Sequence, residues 1–314
     1  MRYPSFILFI MLVLFSVFMA FSAKDWFLIW LSFELSLLGF LPLFSINNVV
    51  ILEGLIKYFL SQVAGSCLFL VSVLEMNFSY LGFLSIFLPL SMALKLGLFP
   101  FFYWVPSVMT NLSWMGCAIL STIQKFNPFV AVVKMFSSSM HFNVFFSFCV
   151  VGALISSLLG VNQSYLRNLM AYSSITHGSW MGISALLSLK VLLLYLFFYL
   201  VFTFILFSYF DNNNLNSLNM MSSIKSNDML MVFLLMVVLS GIPPFIIFFL
   251  KVMIVNILIG YNVLSVVFLL LSAGISIFYY MYLIVPCLMN LSNYSGGVFA
   301  FVFFNFVSVV VIFL

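Results

Sequence analysis

Lys190-Val-Leu-Leu-Leu-Tyr-Leu-Phe-Phe-Tyr-Leu-Val-Phe-Thr-Phe-Ile-Leu-Phe-Ser-Tyr-Phe210 carries no charge after its first residue and no glycine or proline. A helix needs about 20 apolar residues to cross the hydrocarbon core of a bilayer, and this run supplies them. The other structure able to span lipid, a closed β-barrel, uses strands of about 10 residues that alternate apolar and polar positions. The run does not alternate and is far too long for one such strand. It is read as a transmembrane helix.

The rest of the chain repeats the pattern. Of 314 residues, 66% are hydrophobic and only 5% charged, with a mean hydropathy of +1.33. A water-soluble domain carries about 25% charged residues, so a soluble fold is excluded. Polar and Pro/Gly punctuation divides the sequence into spans at 4–23, 26–46, 49–75, 80–104, 111–135, 143–160, 165–187, 190–210, 228–258, 261–286 and 297–314. The expected fold is all-α: a polytopic transmembrane bundle of about eleven helices, forming one membrane domain over residues 1–314. The one substantial polar stretch, Asp211 to Asp228, is rich in Asn and Ser and reads as a surface loop. Met1-Arg2-Tyr3-Pro4 opens like a signal peptide, but no small-residue cleavage site follows, so the run is read as the first membrane helix.

Other chemistry is sparse. The net charge of +4 comes from scattered basic residues, which offers no footprint for nucleic acid. Cys67, Cys117, Cys149 and Cys287 stand apart in apolar surroundings and read as small buried hydrophobes, so no iron–sulfur, haem or zinc site is expected. The 42 Phe, the 19 Met and the Asn/Ser-rich loops fit a compositionally biased genome such as an organellar one.

Two spans are interrupted, the fourth by Gly97-Leu98-Phe99-Pro100 and the ninth by Gly241-Ile242-Pro243-Pro244. Proline removes a backbone donor and blocks the preceding turn, so each helix is expected to break. Backbone groups freed there cannot face lipid and must be buried in protein or line a hydrated cavity. Taken singly, either break can be a packing kink; broken helices in two parts of one chain point to a transport site.

The few charges lie where they are costly. Glu34 sits mid-span in Trp30-Leu31-Ser32-Phe33-Glu34-Leu35-Ser36-Leu37-Leu38; Lys95 precedes the first break; Lys125 adjoins Asn127-Pro128; Lys251 follows the second break. Each costs about 2.5–3.5 kcal/mol at a helix centre on insertion scales, so the four are expected to face the interior. An amine kept from water binds its proton less tightly, and a neighbouring carboxylate tightens the hold again. Lysines joined by water can therefore pass protons, which arginine cannot. The bland alternative for each is a snorkelling side chain or a structural ion pair. His177 lies in the hydroxyl-rich Ala171-Tyr172-Ser173-Ser174-Ile175-Thr176-His177-Gly178 and suits either a relay or an interhelical hydrogen bond. Glu53 and Lys57 stand i, i+4 in the favourable order for a helix pair. Lys134 and the charges at span ends, Arg2, Lys24, Asp25, Glu75, Lys190, Lys225 and Asp228, read as interfacial anchors, and His141 as exposed at a membrane face.

From about residue 24 to 285 these segments resemble the NADH–ubiquinone oxidoreductase subunit 2 family, antiporter-like membrane subunits of respiratory complex I. Trp30 to Pro42 resembles its glutamate helix, Lys57 to Ser66 the next helix, and Lys95-Leu-Gly-Leu-Phe-Pro-Phe-Phe-Tyr-Trp-Val-Pro106 its broken helix with the first pump lysine. Gln124-Lys125-Phe-Asn-Pro128 fits the second lysine, Asn162 to His177 is the most specific block, and Ser240 to Pro244 with Lys251 corresponds to the second broken helix. The sequence departs from the family pattern at Phe102, where a histidine is usual, at Ser107, where a glutamate is usual, and at Val252, where tryptophan is usual. No role of those residues carries over.

The resemblance implies a mitochondrially encoded, multi-pass subunit of the inner membrane, partnered by other complex I membrane-arm subunits and lipid. Glu34 and Lys95 would be the coupling pair, Lys125 the central relay, Lys251 the residue towards the exit and His177 an auxiliary. NADH, flavin, iron–sulfur clusters and ubiquinone would belong to partner subunits, with no cofactor in this chain. A cation/proton antiporter subunit of the same fold is the alternative.

Overall fold

The computed structural model describes residues 3–44, 49–78, 86–134, 139–223, 226–243 and 245–295. Arg2, Lys225, Pro244 and the expected span at 297–314 lie outside them, and the side chains of Glu75 and Cys287 are not described. Unbroken helices are α1 (Tyr3–Ser22), α2 (Trp26–Phe44), α3 (Val49–Phe78), α8 (Ser139–Val161), α9 (Leu166–Leu187), α10 (Leu189–Asn212) and α13 (Val263–Ser295). Three further spans are each split in two: α4 (Phe87–Leu96) with α5 (Trp104–Met109), α6 (Trp114–Ser121) with α7 (Ile123–Lys134), and α11 (Ser226–Ser240) with α12 (Ile246–Ile259). The first ten expected spans are thus recovered, and the all-α membrane bundle with them.

The bundle is apolar outside and partly polar inside. Phe18, Phe27, Leu60, Phe197 and Phe278 are more than half exposed, whereas Lys95, Lys125, Lys251, His177 and Asn127 are buried. Lipid solvates the first group; only protein can satisfy the second. Among the described residues, six helical stretches are long and apolar enough to cross a membrane. The hydroxyl-rich α9 is not one of them, yet nearly all its residues are buried. It packs against α5, α7, α8, α10 and α12, so protein rather than lipid surrounds it. Its serines and threonine return their hydroxyls to carbonyls of their own helix, as in Ser173 to Met170 and Thr176 to Ser173.

Both expected breaks occur, and each turns on a glycine in the left-handed region. Gly97 has φ 68° and ends α4; the Leu98 N–H donates to Ala93 O at 2.8 Å and the Gly97 N–H to Leu94 O at 3.2 Å. Carbonyls released here find internal donors: Trp104 Nε1 reaches Leu94 O at 3.0 Å and Gln62 Nε2 reaches Lys95 O at 3.3 Å. Gly241 has φ 76° and follows α11 directly.

The third break, at Thr122, carries neither glycine nor proline. There φ is −117° and ψ −77°, and the hydroxyls of Ser121 and Thr122 both converge on Ala118 O, at 3.2 and 2.6 Å. Such back-bonding competes with the helical ladder and bends it. Lys125 falls in the first turn after this break.

Some expectations are corrected. His141 is buried, because α8 begins at Ser139 and takes His141 into its first turn. Cys67 is exposed on α3 rather than buried. The stretch after Asp211 is not a free loop. Trp114 Nε1 donates to Leu215 O at 3.0 Å, Leu166 N to Asn216 O at 3.1 Å and Leu218 N to Ser164 O at 3.3 Å, and Leu215 and Met221 are buried beneath it. Lys134 is half-buried and donates to the Ala20 and Ala23 carbonyls, which closes the end of α1.

Replacing Gly97 by Ala should destabilise the chain by at least the left-handed backbone strain, about 1–2 kcal/mol, because a Cβ there would also collide with Val105 Cγ2. Recovery of monodisperse protein after detergent extraction should fall. Ser107→Ala, which loses only a bond to Trp104 O in its own helix, should leave recovery unchanged.

Candidate functional site

Three buried lysines are held in the same way by different elements. Lys95, at the end of α4, points its amine at Gln62 O of α3 at 3.4 Å, with Nζ 4.2 Å from the centre of the Phe33 ring. Lys125, in α7, donates to Ser174 O of α9 at 2.6 Å and lies 5.9 Å from the Tyr199 ring centre. Lys251, in α12, donates to Ser240 O at the end of α11 at 3.4 Å and lies 5.7 Å from the Trp180 ring centre. Each amine thus rests on one carbonyl dipole and one aromatic face, whose quadrupole tolerates a cation. None has a carboxylate within ion-pair distance: among the described residues the one ion pair is Lys57–Glu53, at 2.6 Å on the outer face of α3.

Each lysine also lies against a glycine that sequence reasoning did not single out for that role. A Cβ on Gly65 would stand 2.9 Å from Lys95 Cγ, one on Gly178 3.3 Å from Lys125 Nζ, and one on Gly241 3.0 Å from Lys251 Nζ. The long side chains reach across the bundle only because these positions have no side chain. Gly178 was visible within the His177 block and Gly241 within the second break, but spacing alone could not pair either with its lysine.

His177 connects the later part of the seam. Its Nδ1 is 3.0 Å from the Tyr195 hydroxyl, and it lies within electrostatic reach of both Lys125 and Lys251. Ser174, His177, Gly178 and Trp180 follow one another along α9, so the contacts of Lys125 and Lys251 are separated by roughly 9 Å of helix rise. Between Lys95 and Lys125 lies a cavity of about 10 Å³, measured as room for the centre of a water molecule, with Tyr58, Gln62, Trp104 and Gln124 in its walls. Lys251 also borders an apolar recess of about 620 Å³ whose walls include Phe248, Val267 and Leu271.

Glu34 is at the margin. It is half-buried on α2, next to the Phe33 ring that covers Lys95, and acts on that lysine through space rather than by a direct ion pair. Below it α7 is stitched to α2 by Gln124 Nε2 to Ser36 O, 3.4 Å, and Asn127 Nδ2 to Ser32 O, 3.2 Å. All five residues expected from the sequence therefore belong to one region, with Glu34 at its open side. The arrangement supplies proton-binding groups and hydroxyls at close intervals.

Comparison with known proteins gives this geometry its context. A family model described as NADH:quinone oxidoreductase/Mrp antiporter, TM, matches residues 75–276. NADH-ubiquinone oxidoreductase chain 2 of Lumbricus terrestris is 35% identical over 281 residues, covering 86% of this chain and 83% of that protein. A chain of respiratory complex I from Thermus thermophilus superposes with a TM-score of 0.81 at 19% identity, over 90% of this chain and 70% of that one. A chain of the Mrp complex from Dietzia sp. shares the fold at a TM-score of 0.73 and 15% identity, over 90% of this chain and 59% of that one. By sequence identity across most of its length and by a family match that takes in all three broken spans in whole or part, this chain belongs to the NADH-ubiquinone oxidoreductase chain 2 family.

Proposed function

We propose that this chain is a proton-translocating membrane-arm subunit of respiratory complex I in the mitochondrial inner membrane, and that protons move along Glu34, Lys95, Lys125, His177 and Lys251. It works in company with other membrane-arm subunits, as part of the NADH:ubiquinone oxidoreductase. Electron transfer from NADH through flavin and iron–sulfur clusters to ubiquinone occurs in partner subunits. The whole chain acts as one membrane domain.

The observation that carries this reading is the common setting of the three lysines. A permanent buried charge needs a counter-charge, because an unpaired one is strongly disfavoured away from water. Carbonyls and ring faces support a proton only in passing. A proton arriving at Lys95 therefore has reason to leave it, and the cavity towards Lys125, then Ser174 and His177, offers a way onward. Glu34 sits where a change in its own protonation, or in a partner's charge, alters the field at Lys95.

The fold shared with the Mrp complex chain keeps a second reading in view, a cation/proton antiporter subunit. Flux driven by an ion gradient without NADH oxidation would mark it. The higher identity to the chain 2 relatives favours the first.

Lys125→Met should lower the protons translocated per NADH oxidised in sealed vesicles while leaving assembly, and electron transfer in the presence of an uncoupler, near normal. An unchanged ratio would count against the relay. Gly178→Val should act in the same direction, since its branched side chain would press Lys125 off Ser174 O; full pumping by a normally assembled variant would show that this contact is dispensable.

A further inference from the structure

We propose that the recess beside Lys251, between α12 and α13, binds a long-chain carboxylic acid from the membrane, with its carboxylate on Lys251 and Trp180 and its alkyl tail along the apolar walls. The site itself does not depend on the conduction reading above; its effect on translocation does.

The recess measures about 620 Å³, within the roughly 300–1,000 Å³ of small-molecule sites. Val252 lines it. The tryptophan usual in the family at that position would fill much of the space, so the room is a feature of this chain. Val267, Leu270 and Leu271 belong to the wall and are about half exposed on the outer face of α13. The recess therefore opens towards lipid.

One end of it is polar. Lys251 Nζ stands 3.0 Å from where a Cβ on Gly241 would lie and 5.7 Å from the centre of the Trp180 ring. Gly241 and Trp180 are both wall residues, which puts the amine at that end. It donates to Ser240 O at a long 3.4 Å, and a protonated amine has two further donors. Trp180 is 2% exposed, yet its Nε1 donates to no atom among the described residues. Unlike the enclosed Trp30 Nε1, it keeps accessible surface, and the recess is the space it borders. Two idle donors suit an acceptor head, and walls such as Phe248, Val255 and Ile277 suit an alkyl tail.

The tail gains little by leaving lipid that is equally apolar, so the head group selects the ligand. A phospholipid would have to bring a permanently charged head to the depth of Lys251, whereas a carboxylic acid travels there neutral. The O–H bond of the acid breaks as its proton joins the neutral Lys251 amine, which leaves a carboxylate paired with an ammonium and needs no other reactant. On the conduction reading, Lys251 then stays protonated and stops passing protons on.

Membranes carrying the assembled complex are irradiated with palmitic acid that bears a diazirine in its chain, and the labelled peptides are identified by mass spectrometry. Label is expected within residues 248–277, displaced by excess palmitic acid but not by hexadecanol, which has the same chain and a neutral head. Val252→Trp should abolish the label, and Trp180→Phe should weaken it roughly tenfold, through one lost bond to a charged acceptor. Gly274→Leu, which fills the recess from α13, serves if Val252→Trp does not assemble. Absence of label, which would mean that a neighbouring subunit covers the recess, would overturn the site. So would equal displacement by hexadecanol, or undiminished label in Val252→Trp. Protons translocated per NADH oxidised are then compared with and without palmitic acid, any leak through the lipid being common to both complexes. The unsubstituted complex should lose more than Val252→Trp; equal loss beside specific label would keep the site and overturn conduction through Lys251.

Discussion

The hydrocarbon interior offers no hydrogen bonds, so every backbone group freed at membrane depth must find a partner inside the protein. This constraint shapes the whole bundle. The α4–α5 break is possible because Trp104 and Gln62 stand ready for the carbonyls of Leu94 and Lys95. The α11–α12 break hands Ser240 O to Lys251, and the α6–α7 break hands Ala118 O to two hydroxyls. Breaks, donors and charged side chains therefore gather in the same places. A polar seam is the consequence of interrupting helices in lipid, and proton conduction is the use to which such a seam lends itself.

The same constraint explains why α9 is at the centre. A helix with Ser173, Ser174, Thr176, His177 and Ser179 on consecutive turns is a poor neighbour for acyl chains, and it is enclosed by other helices instead. Its small residues then allow close approach, and Gly178 admits the Lys125 amine. Polarity draws the helix inward, and the lack of bulk lets the lysine reach its backbone. The lysines are left with carbonyls and aromatic faces rather than carboxylates, a setting that can accept a charge briefly without storing it.

Much of this was legible in the chain itself. Spans were found because apolar runs of bilayer length have no other use, and two breaks because glycine with proline is strong punctuation. Glu34, Lys95, Lys125 and Lys251 stood out because charges are so scarce. The break at Thr122 was missed: two hydroxyls turned back on one carbonyl are hard to tell from an ordinary Ser-Thr pair. His141 was set outside its helix because helix ends depend on capping and tertiary support more than on hydropathy. The Asn-rich stretch after Asp211 looked solvated, yet its backbone is held by Trp114 and by Leu166 N, contacts between residues far apart in sequence.

The sequence by itself determined the class of fold, the number of crossings up to residue 286 and which charges had to be internal, because these follow from lipid's intolerance of polar groups one segment at a time. Only the tertiary structure decided which carbonyl and ring each lysine meets, which glycine makes room for it, and that Gln62 and Gln124 share a cavity. Those pairings join separate helices, and their geometry depends on how the helices cross, which no local run of residues specifies.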